Sequence, residues 1–179
     1  MTARIDTPAA TAATGDTADL FAGIRKAVGR VPNAYAAIGA LNTPALQAML
    51  SADAVLARGT LSAQDRETVK LVVSALAGCD YCVAAHSLAG KAAGLPMDTV
   101  RAIRALAPTG DARRDALVRF VRALHEQPGT LPTEAFEAFR AAGFADAAVV
   151  DVALAVAVIT FTNVFNRVND TVVDFPELK

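Results

Sequence analysis

The chain contains no tryptophan, and aromatic residues of all kinds make up only 6% of its 179 positions. Bulky rings therefore cannot fill its core, and closely packed helices with small side chains at their contacts are expected instead. Charge of one sign is not in excess either. The net charge is −1, and Lys and Arg are scattered rather than striped along one face, so the electrostatic footprint of a nucleic-acid binder is missing. No run reads as the roughly 18 uninterrupted apolar residues of a membrane span. The nearest, "AAVVDVALAVAVI", carries Asp151. The opening "MTARIDTPAATAATGDTADL" has neither the basic start nor the continuous apolar stretch of a signal peptide. These absences lead to the expectation of a soluble, cytoplasmic protein.

Cysteine and histidine are nearly absent too, with two of each. Both cysteines and one histidine nevertheless fall inside "GCDYCVAAHS", Gly78 to Ser87. In a reducing cytosol a lone Cys-x-x-Cys points to redox or metal chemistry rather than a structural staple. A structural zinc site needs four ligands, and the chain has no second Cys/His pair to supply them. Metal binding and simple burial of two small thiols stay open as the blander readings.

Apolar residues reach 54%, with Ala and Val prominent. In a chain of this length such a surplus fits one domain with buried subunit contacts, and a homo-oligomer is expected. Residues 1–17 are rich in Thr, Ala, Asp and Gly and lack apolar periodicity, which predicts a mobile arm. Residues 18–179 read as a single all-α domain. "TPALQAMLSADAVLARG" has Thr43 as expected cap, Pro44 in the first turn and Gly59 at its end. "LSAQDRETVKLVVSALAG" starts on Ser62 and ends on Gly78, with Val69, Val72, Val73 and Leu76 on one face. "DYCVAAHSLAGKAAG" follows, and the long "DAAVVDVALAVAVITFTNVFNRVND" comes last.

The thiol segment lies within residues 59–95, and residues 129–171 echo it. "GTLSAQDRE" is matched by "GTLPTEAFE", and the spacing of Glu67, Cys79, Cys82 and His86 by that of Asp151, Asn163, Asn166 and Asp170. A degenerate second repeat is one reading, chance in Ala/Val-rich sequence the other. Asn163 and Asn166 are expected to cap or cross-link helices, Tyr81 to pack, and His125 to sit at a helix end.

Cys82 and His86 stand at i and i+4, so one helical face presents both. A thiol of ordinary pKa is only about 3% ionised at pH 7, and catalysis by it needs a base or a field. His86 can supply either, and Glu67 can fold back onto His86 if Gly78 bends the chain, giving a thiol–imidazole–carboxylate relay. A helix start at Gly78 would favour Cys79 as nucleophile through the dipole. Proximity to His86 favours Cys82, and Asp80 disfavours charge on Cys79. The residues lean slightly toward Cys82.

The run "RETVKLVVSALAGCDYCVAAHSLAGKAAGL" resembles the core of the alkylhydroperoxidase-D-like branch of the carboxymuconolactone decarboxylase superfamily. Glu67, Cys79, Cys82 and His86 carry the likeness, with an apolar helix between the first two. The resemblance implies an all-helical fold that assembles as trimers or hexamers and reduces hydroperoxides without flavin, haem or metal. It assigns Cys82 as the peroxidatic thiol, Cys79 as the resolving thiol, and Glu67 with His86 as a proton relay. It further implies an organic hydroperoxide as substrate and an external dithiol, lipoylated or thioredoxin-like, as reductant. Two alternatives remain: a non-enzymatic redox or stress-response protein, and a cofactor-free decarboxylase or lactone-acting member of the superfamily.

Overall fold

The computed structural model describes residues 3–176, and among them every regular element is a helix. In chain order these are α1 (Gly15–Val28), α2 (Asn33–Leu41), α3 (Thr43–Leu56), α4 (Ala63–Ala77), α5 (Asp80–Ala92), α6 (Met97–Arg104), α7 (Ala112–Glu126), α8 (Thr133–Ala141) and α9 (Asp146–Asn169). The all-α expectation holds.

The fold is organised around α4, against which α5, α7 and α9 pack. A helix covered on so many sides must be apolar nearly all round, and Val69, Leu71, Val72 and Val73 are all buried. Each contributes about 1.5–3 kcal/mol of hydrophobic stabilisation. The polar side chains trapped alongside them are each matched. Lys70 reaches Asp53 of α3 at 2.6 Å, and the Ser74 hydroxyl donates to the Lys70 carbonyl at 2.7 Å. Ser62 caps the helix as expected, in a reciprocal box with Asp65, which also takes Arg113 at 2.9 Å.

Gly78 ends α4 with φ 63° and ψ 37°, a left-handed conformation that a side chain would disfavour. The chain reverses there and enters α5 at once, laying α5 back along α4. The bend holds the entire thiol segment against the central helix. α9 runs parallel to α4: Asp151 meets Thr60, Asn163 meets Ser74, and Asn166 meets Cys82. The first of these needs Gly59, because a Cβ there would lie 2.7 Å from the Asp151 carboxylate. The two echoing spans have different shapes, since Glu67–His86 is broken at Gly78 whereas Asp151–Asn169 is unbroken helix.

Three expectations change. The cap of α3 is Asn42, not Thr43: the Asn42 side-chain oxygen Oδ1 accepts from the Ala45 amide at 3.0 Å, while the Thr43 hydroxyl turns back to the Gly39 carbonyl. Asn is the stronger cap when both are available. The arm is not loose over its described part. The Arg4 and Ile5 amides donate to Asn169 at 2.7 and 2.9 Å, Ala10–Ala12 forms a 3₁₀ turn, and α1 begins at Gly15; residues 1 and 2 lie outside the described residues. Finally, α9 is long and apolar enough to cross a membrane by length and composition. In this fold its inner face is core, carrying buried Val152, Ala155, Ile159, Asn163 and Asn166.

Candidate active site

Cys79 is the N-cap of α5, and its sulfur accepts a long hydrogen bond from the Cys82 amide at 3.4 Å. Cys82 lies in the first turn, so its side chain returns toward the cap and the two sulfurs stand 2.8 Å apart, both unbonded thiols and both buried. A disulfide can therefore form without backbone rearrangement.

The pair shares its protons, and its two members respond in opposite directions. The hydrogen bond from Cys82 lowers Cys79 most; burial works against it, and the Cys82 amide and Arg167 help. Cys82 is pushed up, first by its bond to Cys79, then by burial and by the charge on Cys79. Asn166 and Thr162 pull Cys82 the other way, and the Asn166 amide nitrogen donates to the Cys82 sulfur at 3.2 Å. Of the two sulfurs, Cys79 is thus the more easily ionised; transfer of one proton between them would put the charge on Cys82, where Asn166 and Thr162 favour it.

Glu67 of α4 and His86 of α5 meet as the Gly78 bend predicts, with Glu67 Oε2 2.8 Å from His86 Nδ1. Burial raises the Glu67 carboxyl, but the His86 charge and hydrogen bond, with Lys70 and Arg66, hold it below the usual range. The carboxylate fixes the imidazole through Nδ1, and the ring's other nitrogen is left for proton exchange. No hydrogen bond joins His86 to Cys82. They are instead neighbours on the wall of one cavity of about 570 Å³. Its lining is mainly apolar, including Pro32, Ala34, Leu88, Ala89 and Phe175.

Sequence reading missed three contributors. Tyr35 lines the same cavity, its hydroxyl kept neutral by burial and by the nearby charges of Asp53, Glu67 and Cys82. Tyr81, expected to pack, also uses its hydroxyl: it accepts from the Ala34 amide at 3.1 Å and donates to Asp174 at 2.9 Å. Asp174 lies in the segment after α9, where it also takes Arg30 at 3.0 Å and the Asn33 amide at 3.1 Å. Phe175 follows, edge-on to Tyr81 with the Arg30 guanidinium over its ring. The segment Thr171–Pro176 thereby closes one side of the cavity. Asn163 cross-links α9 to α4 as expected, accepting from Ser74 at 3.3 Å. His125 lies in the last turn of α7. Among the described residues, no group of three or more His, Cys, Asp or Glu side chains is placed to hold a metal ion.

The family profile described as "Carboxymuconolactone decarboxylase family" matches residues 44–126, a span that contains Glu67, both cysteines and His86. The match spans a little under half of the chain. The fold recurs in a peroxidase-related protein from Ralstonia eutropha JMP134 with an alkylhydroperoxidase AhpD core, at 22% identity, TM-score 0.86, and coverage of 96% of this chain and 92% of that one. A peroxidase-related protein from Silicibacter sp. TM1040 is similar at 24% identity and TM-score 0.82, covering 95% and 91%. The debrominase Bmp8 is similar at 19% identity and TM-score 0.78, covering 96% and 92%. Bmp8 is also known as a Cys-to-Ala variant in complex with 2,3,4-tribromopyrrole. None of the curated proteins matches the chain. At these identities the likeness establishes the fold.

Proposed function

We propose that this protein is a thiol-dependent hydroperoxide reductase. The observation that carries the reading is the placement of Cys82: its thiol lines an apolar cavity beside the Glu67–His86 pair, with the Cys79 sulfur 2.8 Å behind it. The Cys82 proton passes to Cys79, and the Cys82 thiolate attacks the terminal oxygen of a hydroperoxide. The O–O bond breaks, the departing alkoxide takes a proton from His86, and an alcohol and a Cys82 sulfenic acid result. The Cys79 sulfur then displaces water from the sulfenic acid to form the Cys79–Cys82 disulfide. An external dithiol, lipoylated or thioredoxin-like, returns two electrons and two protons. An apolar cavity favours an organic hydroperoxide over hydrogen peroxide.

A reducing compartment such as the cytoplasm suits a cycle that ends with dithiol reduction. A second copy of the chain suits the outer face of α9, where Val150, Leu154, Ala157, Phe161, Val164 and Val168 follow one another at alternating intervals of four and three. That 3.5-residue period is the seam along which helices pack knobs into holes. Val150, Val164 and Val168 are each more than half exposed, at 69%, 55% and 58%. We infer a homo-oligomer built through this seam.

The test is a single-turnover reaction of reduced protein with a stoichiometric organic hydroperoxide, followed by free-thiol count and intact mass. Rapid loss of both thiols and a mass lower by two hydrogens supports the reading. Oxidation no faster than that of an ordinary thiol sinks it. Many turnovers on added dithiol separate an enzyme from a redox sensor, which oxidises once.

The likeness to Bmp8 supports a second reading, because the same dithiol can reduce a brominated aromatic: a C–Br bond becomes C–H, bromide leaves, and the pair becomes a disulfide. Release of bromide from 2,3,4-tribromopyrrole, with inertness to hydroperoxide, would favour it.

A further inference from the structure

The two sulfurs open onto different cavities. Cys82 lines the 570 Å³ apolar cavity and Cys79 does not. Cys79 lines a second cavity of about 400 Å³, formed by the Gly78–Tyr81 turn and the end of α9 with its following segment, and Cys82 does not line that one. Only Tyr81 and Asn166 belong to both walls. The second cavity is polar where the first is apolar, with Asp80, Arg167, Asp170 and Thr171 around it. Asn166 is buried, and its side-chain oxygen has no hydrogen-bond partner, which leaves an acceptor unused in the partition between the cavities.

We propose that this second cavity is the entry port for a thiol reductant, which attacks the disulfide at Cys79 while the substrate cavity stays on the Cys82 side. The proposal rests on the disulfide cycle above and adds where the electrons enter. An incoming thiolate bonds to Cys79, and the S–S bond breaks with its electron pair going to Cys82. In the resting dithiol Cys82 is a poor thiolate, but two of the causes that raise it, the hydrogen bond and the charge of Cys79, vanish once Cys79 is tied in a mixed disulfide. The donors Asn166 and Thr162 remain, so Cys82 becomes an acceptable leaving group. A second reductant thiolate then attacks the reductant sulfur of the mixed disulfide and releases Cys79, the sulfur whose anion the site favours. One reductant disulfide and one reduced pair result, with two electrons and two protons transferred.

Arg167 stands at the second cavity alone and Arg30 at the first alone, so charge at each mouth can be altered separately. The protein is oxidised with diamide, which makes the disulfide whether or not hydroperoxide can. Its reduction is then timed with anionic 2-mercaptoethanesulfonate and cationic cysteamine. Taking the ratio of the two rates cancels any change in the disulfide itself. In Arg167→Gln the anionic-to-cationic ratio falls about threefold or more at low ionic strength, and the effect shrinks as salt is added. In Arg30→Gln the ratio stays at the wild-type value. Acid quenching of the reaction traps the mixed disulfide on Cys79. A ratio unchanged in Arg167→Gln, an equal or larger shift in Arg30→Gln, or a mixed disulfide on Cys82 overturns the proposal. Failure of hydroperoxide to oxidise the reduced protein would overturn the peroxidase reading alone, since the port measurement uses no peroxide.

Discussion

The Asn166 amide nitrogen donates to the Cys82 sulfur at 3.2 Å, joining the last helix to the thiol segment across 84 positions of the sequence. A hydrogen bond to an ionised group is worth about 1.5–3 kcal/mol, which corresponds to roughly 10- to 100-fold in the thiolate population. Asn166→Leu is therefore expected to slow hydroperoxide-driven thiol loss by about tenfold or more and to move its pH profile to the alkaline side. An unchanged profile would remove Asn166 from the site.

His86→Gln keeps a hydrogen-bonding side chain toward Glu67 but removes the titrating ring. Oxidation is expected to slow by roughly 10²-fold, the usual scale for losing a general acid. Stopped-flow measurement of thiol oxidation checks this.

Cys79→Ser should permit one oxidation and then stall, because no second thiol exists to close the disulfide. The product is a Cys82 sulfenic acid, detected as a dimedone adduct by mass spectrometry. Cys82→Ser should give none. The reverse pattern would exchange the roles of the two sulfurs.

The Glu67 carboxyl is held below its unfolded value, about 4.3, even though burial pushes it up. The sign follows: stabilisation is present above the unfolded value and is lost as pH falls through the lower folded value. Glu67→Gln should destabilise the fold at neutral pH by about 1–2 kcal/mol, read as a lower melting temperature, because it weakens a partly buried charged pair. The difference from wild type should begin to narrow below about pH 4.3 and close as the pH falls past the lower folded value. Melting curves from pH 3 to 8 measure it, and a gap that persists in acid would show a packing effect instead.

Val164→Asp with Val168→Asp places charge in the exposed α9 seam without touching its buried face. Light scattering should show the smaller species while the helical circular dichroism signal is retained. An unaltered mass would move the subunit contact elsewhere.

Local rules reached far into this chain. The Ser62 cap, the Gly78 break and the helical spacing of Val69, Val72 and Val73 set α4 and its bend, and the bend alone was enough to bring Glu67 to His86. What stayed hidden depends on pairing between distant segments. Nothing near Asn166 in sequence says that it will face Cys82, because the contact exists only once α9 lies parallel to α4. Likewise Tyr81 looked like a packing residue until Ala34 and Asp174 arrived at its hydroxyl from either side. The arm was misread for the same reason, since its partner, Asn169, closes the far end of the last helix.

The wall of the apolar cavity that contains Asp174 and Phe175 comes from non-helical chain, fastened by the contacts of Asp174 with Arg30, Asn33 and Tyr81. The sulfurs, the imidazole and the carboxylate all sit on or at the cap of α4 and α5. Reactivity and selectivity are therefore written in separate parts of the chain. Residues after α9 can drift, and the range of molecules admitted can drift with them, while the chemistry applied to whatever enters stays the same.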